Sequence, residues 1–146
     1  MHLKDKLKSL FLRSPYLVFW CATFVFTIII ALSLQLTLLP YVFTELHAGN
    51  GLLVGGDWVN FHKIAVELAN TINEQGWINW ELRPSGHAPA GIAAAIYAIS
   101  VPEPYMLIPL NAALHATAGV MLMRIARYLT NSYFIALIAA LPFILY

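Results

Sequence analysis

Asp57, His62, Lys63 and Glu67 fall within the stretch "GGDWVNFHKIAVELAN", residues 55–70, while nearly everything around it is apolar. A carboxylate at that point has two uses. Asp is a favoured helix N-cap, and a glycine pair before an amphipathic run is where a cap belongs. Asp57 also falls on the azimuth of Phe61, Ile64 and Leu68. A carboxylate on the apolar side of a helix at a membrane surface is costly unless used, and there it can act as a general base. The two roles are compatible. Arg83 and His87, in the connector "GWINWELRPSGHAP", also divide between two readings. One is ordinary interfacial snorkelling; the other is binding the phosphate of a lipid-borne substrate, for which a guanidinium fork is well suited.

Lys63, Asn111 and His115 are secondary candidates. Lys63 is expected to pair with Glu67 on a solvated helix face, and His62, beside the apolar stripe, reads as structural. Asn111 and His115 lie four residues apart on one face of a later apolar run. Polar groups at that depth need partners, so they either join helices by hydrogen bonds or touch a substrate. The five histidines lack HExxH spacing, and the single Cys21 excludes cysteine clusters and an internal disulfide. No cofactor is implied, and a divalent metal has no support in the sequence. Walker, Rossmann and nucleophile-elbow motifs are missing as well.

The elements that must position these residues follow from composition. The 146 residues are 60% hydrophobic and 10% charged, with a net charge of +1. Soluble domains carry about 25% charged residues, so an all-α membrane protein is the class that fits. The only basic tract is the N-terminal "KDKLK", which argues against a nucleic-acid partner. Residues 15–43 contain no charge and read as the first transmembrane helix, behind a basic tail over 1–14. The run is about twice the 7 to 15 residues of a signal-peptide core. A second span is expected over 104–129, a turn over 130–132, and the start of a third helix over 133–146. That third run stops short of a bilayer's width, so the sequence reads as an N-terminal piece of a longer polytopic protein.

Between the spans, 44–103 forms a loop with two amphipathic or apolar helices expected at 58–75 and 88–100, lying along the membrane surface. The apolar run 86–101 would reach only about 24 Å as a helix, less than the roughly 30 Å core. With that run interfacial, six of the eight Lys/Arg residues share the side of the N-terminus: Lys4, Lys6, Lys8, Arg13, Arg124 and Arg127. The other side then holds six acidic residues with Lys63 and Arg83. The positive-inside rule puts the N-terminus in the cytoplasm and 44–103 outside. Trp58, Trp77, Trp80, Tyr41 and Tyr105 fit an outer aromatic belt, and Tyr16, Phe19 and Trp20 an inner one.

The order of these elements, with "GDWVNFHKIAVELAN" opening the loop, then "HAPAGIAAAIYAIS", "RIARYL" and "ALP", resembles the N-terminal part of GT-C fold membrane glycosyltransferases. The bacterial branch of protein mannosyltransferases and lipid A aminoarabinose transferases is the nearest in pattern. The resemblance implies a sugar moved from a polyprenyl-phosphate donor to a glycan, lipid or protein acceptor, on the outer face of a bacterial inner membrane. It also implies that Asp57 is the catalytic acid–base residue, with an aromatic (here Phe61) four residues on. Where that family has a tyrosine–proline–proline segment, this chain has only "GHAP", with His87 in the tyrosine's place. The rival expectation is a non-enzymatic membrane protein, either an accessory subunit or part of a lipid-linked glycan transporter.

Overall fold

The computed structural model describes residues 14–145. The tail cations Lys4, Lys6, Lys8 and Arg13 lie outside the described residues. Within them the chain is all helical, with one isolated antiparallel bridge, His47 to Leu53, and no strand. The helices are α1 (Pro15–Tyr41), α2 (Asp57–Gln75), α3 (Ala88–Ala98), α4 (Ile108–Thr130) and α5 (Tyr133–Leu145).

Two helical segments, Pro15–Tyr41 and Pro104–Thr130, are each 27 residues long and apolar enough to cross a membrane. The second is α4 preceded by a 3₁₀ turn, Pro104–Leu107. At 1.5 Å per residue each reaches about 40 Å, against a hydrocarbon core of about 30 Å. Helix α1 also leaves Val25, Phe26, Ile29, Ile30, Leu34 and Leu36 exposed. An apolar surface of that extent is not left in water, which points to membrane association. Helix α3, at 11 residues, is only about 16 Å long and cannot cross. Near its end α1 widens into a π-helical turn, Leu34–Leu38, where the Leu39 N–H reaches back to the Leu34 carbonyl. Pro40 explains the change of register, because it has no N–H to offer the preceding turn.

The chain forms two compact units, one gathering the residues up to Ile29 with those from Pro109 on, the other comprising Ile30–Ile108. In the second unit α2 packs on α3 through Ala65 and Ala69 against Ala93, Ala94 and Tyr97, with Leu107 closing the core. The most buried face of α2 is therefore not the azimuth of Phe61, Ile64 and Leu68 but is rotated from it. Ala65, Ala69 and Ile72 are buried, whereas Phe61, Ile64 and Leu68 are half-buried. Alanines allow two helix backbones to approach, so the contact line follows the small residues rather than the largest ones. Gly91 extends this logic: the Glu81–Leu82 backbone lies where its Cβ would be. The Trp80 indole then donates to the Gly91 carbonyl at 3.0 Å, pinning the connector to α3.

In the other unit Phe19, Met123, Ala136 and Ala140 form the core, with Tyr16, Val120, Ala126 and Leu137 packed around it. This corrects the inner aromatic belt at Phe19. Phe19 is only 6% exposed and fills a helix–helix contact, and the Trp20 indole donates to Thr117 Oγ1 at 3.0 Å. An aromatic within reach of neighbouring helices gains more by packing against them than by facing headgroups. Helices α4 and α5 are joined by Asn131, which adopts a left-handed φ of 54°, and Ser132, whose Oγ accepts from the Ile135 N–H at 3.4 Å as an N-cap does.

Candidate functional site

The starts of both loop helices carry the predicted site residues. The entry to α2 is set by the glycine pair: Gly55 takes φ +73°, and Gly56 is extended at φ −82°, ψ 146°. Gly56, not Asp57, is the N-cap, and no side chain caps the helix. The cap reading of Asp57 is thereby corrected. With two flexible residues before it, the chain enters helical geometry one residue early, the Val59 N–H bonding the Gly56 carbonyl at 3.2 Å. Asp57 becomes the first helical residue and is exposed. That is still a place where the helix dipole favours a negative charge, and its carboxylate is not consumed by a cap bond.

One turn on, the Phe61 ring sits 5.7 Å from Trp58 in an edge-to-face arrangement and 5.1 Å from the His87 imidazole. His87 is the N-cap residue of α3, half-buried, with extended backbone angles. Phe61, on the Asp57 side of α2, thus joins the heads of the two loop helices. Arg83 is exposed, four residues before His87 across the tight turn Pro84–Gly86. Among the described residues, no hydrogen bond or ion pair links Asp57, Arg83 and His87. Lys63 is exposed on α2, and among the described residues it forms no ion pair with Glu67. Long side chains held in water gain little from such a pair. Asn111 and His115 belong to the other unit, on α4. Asn111 is exposed, while His115 is half-buried and has a partner. Among the described residues, no three His, Cys, Asp or Glu side chains converge as a metal site would require.

A second polar constellation escaped the sequence reading. Asn50 Nδ2 lies 3.3 Å from His62 Nε2, and His62 Nδ1 lies 3.2 Å from the Tyr97 hydroxyl. With the Asn50 amide donating, Nε2 accepts and the Nδ1–H donates to Tyr97, which fixes the tautomer. Burial lowers the His62 pKa below its usual 6.5, with nearby Glu103 opposing the shift. Burial, reinforced by Glu103, pushes the Tyr97 phenol up to about 12. Both effects keep the pair neutral at physiological pH. The available signal was Tyr97 itself, the one residue with a polar side chain in "GIAAAIYAI". A tyrosine among alanines buries its ring and must find its hydroxyl a partner. His62, read as structural, has that role here: it ties α2 to α3 and to the loop carrying Asn50.

That loop is held by Gly51. Its φ of +70° is left-handed, and a Cβ there would meet Gln35 Cβ and the Gln35 carbonyl at 2.9 Å. The Gly51 N–H donates to His47 Nε2 at 3.0 Å. Compared with known proteins, the chain matches no family model, no curated protein and no solved structure.

Proposed function

We propose that this chain carries the base-bearing outer loop of an integral membrane glycosyltransferase, which moves a sugar from a polyprenyl-phosphate donor to an acceptor hydroxyl at the membrane surface. The observation that carries the reading is the exposed Asp57 carboxylate, one turn from a Phe61 ring that touches His87. A carboxylate without a cap bond thus opens α2, and an imidazole in contact with the same helix opens α3. Exposed Trp77 and Ile78, just beyond the far end of α2, are suited to dipping into headgroups. A lipid-linked donor presents its phosphosugar at that level.

The chemistry follows from the two groups. The acceptor oxygen attacks the anomeric carbon as Asp57 takes its proton. The bond from that carbon to the phosphate oxygen breaks, and the lipid phosphate departs with the electron pair. His87, when protonated, and Arg83 stabilise the charge that grows on the leaving phosphate. In this reading α1 and the Pro104–Thr130 segment span the membrane, the N-terminus is cytoplasmic, and 44–103 lies outside with α3 in the interface. Cysteines introduced at Glu74 and Glu103 should both be labelled from the outer side of intact cells. Labelling of Glu103 only from the cytoplasm would make α3 a span.

Asp57→Asn tests the mechanism. The substitution keeps shape and hydrogen bonding but cannot accept the proton, so sugar transfer should fall about 10²- to 10⁴-fold at matched protein level. Loss of the favourable dipole contact alone should cost about 0.3–1 kcal/mol of helix stability. Near wild-type transfer by Asp57→Asn would remove the catalytic role and favour an accessory subunit or transporter component.

A further inference from the structure

Residues 14–29 and 109–145 contain two arginines, Arg124 and Arg127, and no Asp or Glu. Both guanidinium groups lie over tyrosine rings. The Arg124 Cζ is 5.4 Å from the centre of the Tyr16 ring, and the Arg127 Cζ is 4.3 Å from that of Tyr133. The two rings are themselves 6.0 Å apart at 51°. Three helices therefore contribute to one cluster: the last turns of α4, the first turn of α1 and the first residue of α5.

Stacking on a ring orients a guanidinium but uses none of its N–H groups, which point outward in the plane. Arg127 Nη1 is buried and, among the described residues, has no hydrogen-bond acceptor. A buried cationic N–H without an acceptor is costly, and this unit has no carboxylate to supply one among residues 14–29 and 109–145. The helix starts at Pro15 and Tyr133 add positive potential at the same place. Among the described residues the site has no anionic partner, and an anion with several oxygens has the geometry that a guanidinium fork matches. The surroundings indicate what carries that anion. Tyr128, Leu129 and Phe134 flank the cluster at 89%, 75% and 72% exposure. A free inorganic ion has no use for such apolar side chains, whereas acyl chains pack against them.

We propose that Arg124 and Arg127, held over Tyr16 and Tyr133, bind the phosphate of an anionic phospholipid headgroup at this end of the membrane-crossing helices. The site is independent of the loop chemistry and of which way the protein faces.

The test uses the purified full chain in neutral detergent, with lipid retention followed by native mass spectrometry. Phosphatidylglycerol should be retained over phosphatidylcholine, and the double variant Arg124→Gln/Arg127→Gln should lower that retention about tenfold or more. Arg124→Lys/Arg127→Lys keeps the charge and loses the fork, so it should fall between the two. It also serves as the test if the glutamine variant does not fold. Equal retention of the two lipids, or wild-type retention by both double variants, would overturn the proposal. So would full competition by inorganic phosphate at the lipid's concentration, which would make the ligand a free ion. Loss of retention on replacing Lys4, Lys6, Lys8 and Arg13 alone, with no effect of the arginine variants, would assign binding to the basic tail instead.

Discussion

Each unit of the chain holds a polar cluster, and the two clusters are completed differently. In Ile30–Ile108, His62 is held between Asn50 and the Tyr97 hydroxyl, and the pair closes an alanine-lined helix contact. Within that trio the polar groups satisfy one another, although Gln35 Oε1 in the same unit is buried without a partner among the described residues. In the unit that includes α4 and α5, the arginines rest on aromatic faces, and Arg127 Nη1 has no acceptor among the described residues. The first arrangement is self-sufficient and rigidifies a loop. The second is complete only when an anion is present. A satisfied network is a structural device, whereas an unsatisfied cation is an invitation to a ligand.

The largest effect that could break this contrast comes from Gly91. Gly91→Val would drive a branched side chain into the Glu81–Leu82 backbone. The substitution should cost about 3 kcal/mol or more, beyond ordinary overpacking because backbone rather than a side chain must move. Hydrogen exchange in detergent should show protection lost over α2 and α3 and kept over α4 and α5. Simultaneous loss in both would mean that the units fold as one.

Tyr97→Phe should have a smaller effect. It keeps the ring in the alanine core and leaves His62 Nδ1 without its partner, at a cost of about 1–3 kcal/mol. Exchange rates of α2 amides would report it. An unchanged rate would mean that the hydroxyl contributes no stability and that the core holds the contact by packing alone.

The smallest effect is a pH dependence confined to the loop unit. Because burial lowers the folded-state pKa of His62, the unfolded chain binds the proton first as pH falls below 6.5. Stability contributed by neutral His62 is thus full above that pH and is lost as pH drops toward and through the folded value. Protonation also turns Nε2 into a donor facing the Asn50 amide donor. At the alkaline end, Tyr97 titrates at 10 when unfolded and at about 12 when folded, so stability falls again as pH rises between those values. Protection over α2 and α3, taken relative to the intrinsic exchange rate at each pH, should fall between pH 7 and 5 in the wild type and less so in His62→Gln. Equal acid sensitivity of the two would assign the effect to another group.

Much of the scaffold is legible in the sequence. The uncharged run from Pro15, the glycine pair before Asp57, the helix end expected at 75 and the break at 130–132 all act through local physics. Apolar length, φ freedom and loss of helical pattern each need only neighbouring residues. Gly76, for instance, ends α2 with φ +91° and its N–H bonded to the Ile72 carbonyl at 2.8 Å. Legibility failed where one residue decided between adjacent positions. Asp57 looks like a cap by type, but the backbone angles open to Gly55 and Gly56 let the helix start one residue sooner.

What the sequence determined alone is the class of element and its approximate reach, because hydrophobic length and backbone propensity are additive along the chain. It also determined that charge is sparse and collected at the ends of the apolar runs. Tertiary structure decided which face of α2 is buried, since alanines set how closely helices approach while the sequence pattern weights bulk. It decided too that Tyr97 reaches His62 across 35 positions, that Phe19 is core rather than belt, and that Arg124 and Arg127 stack on tyrosines from two other helices. Such pairings depend on distances between residues far apart in the chain, and no local preference encodes them.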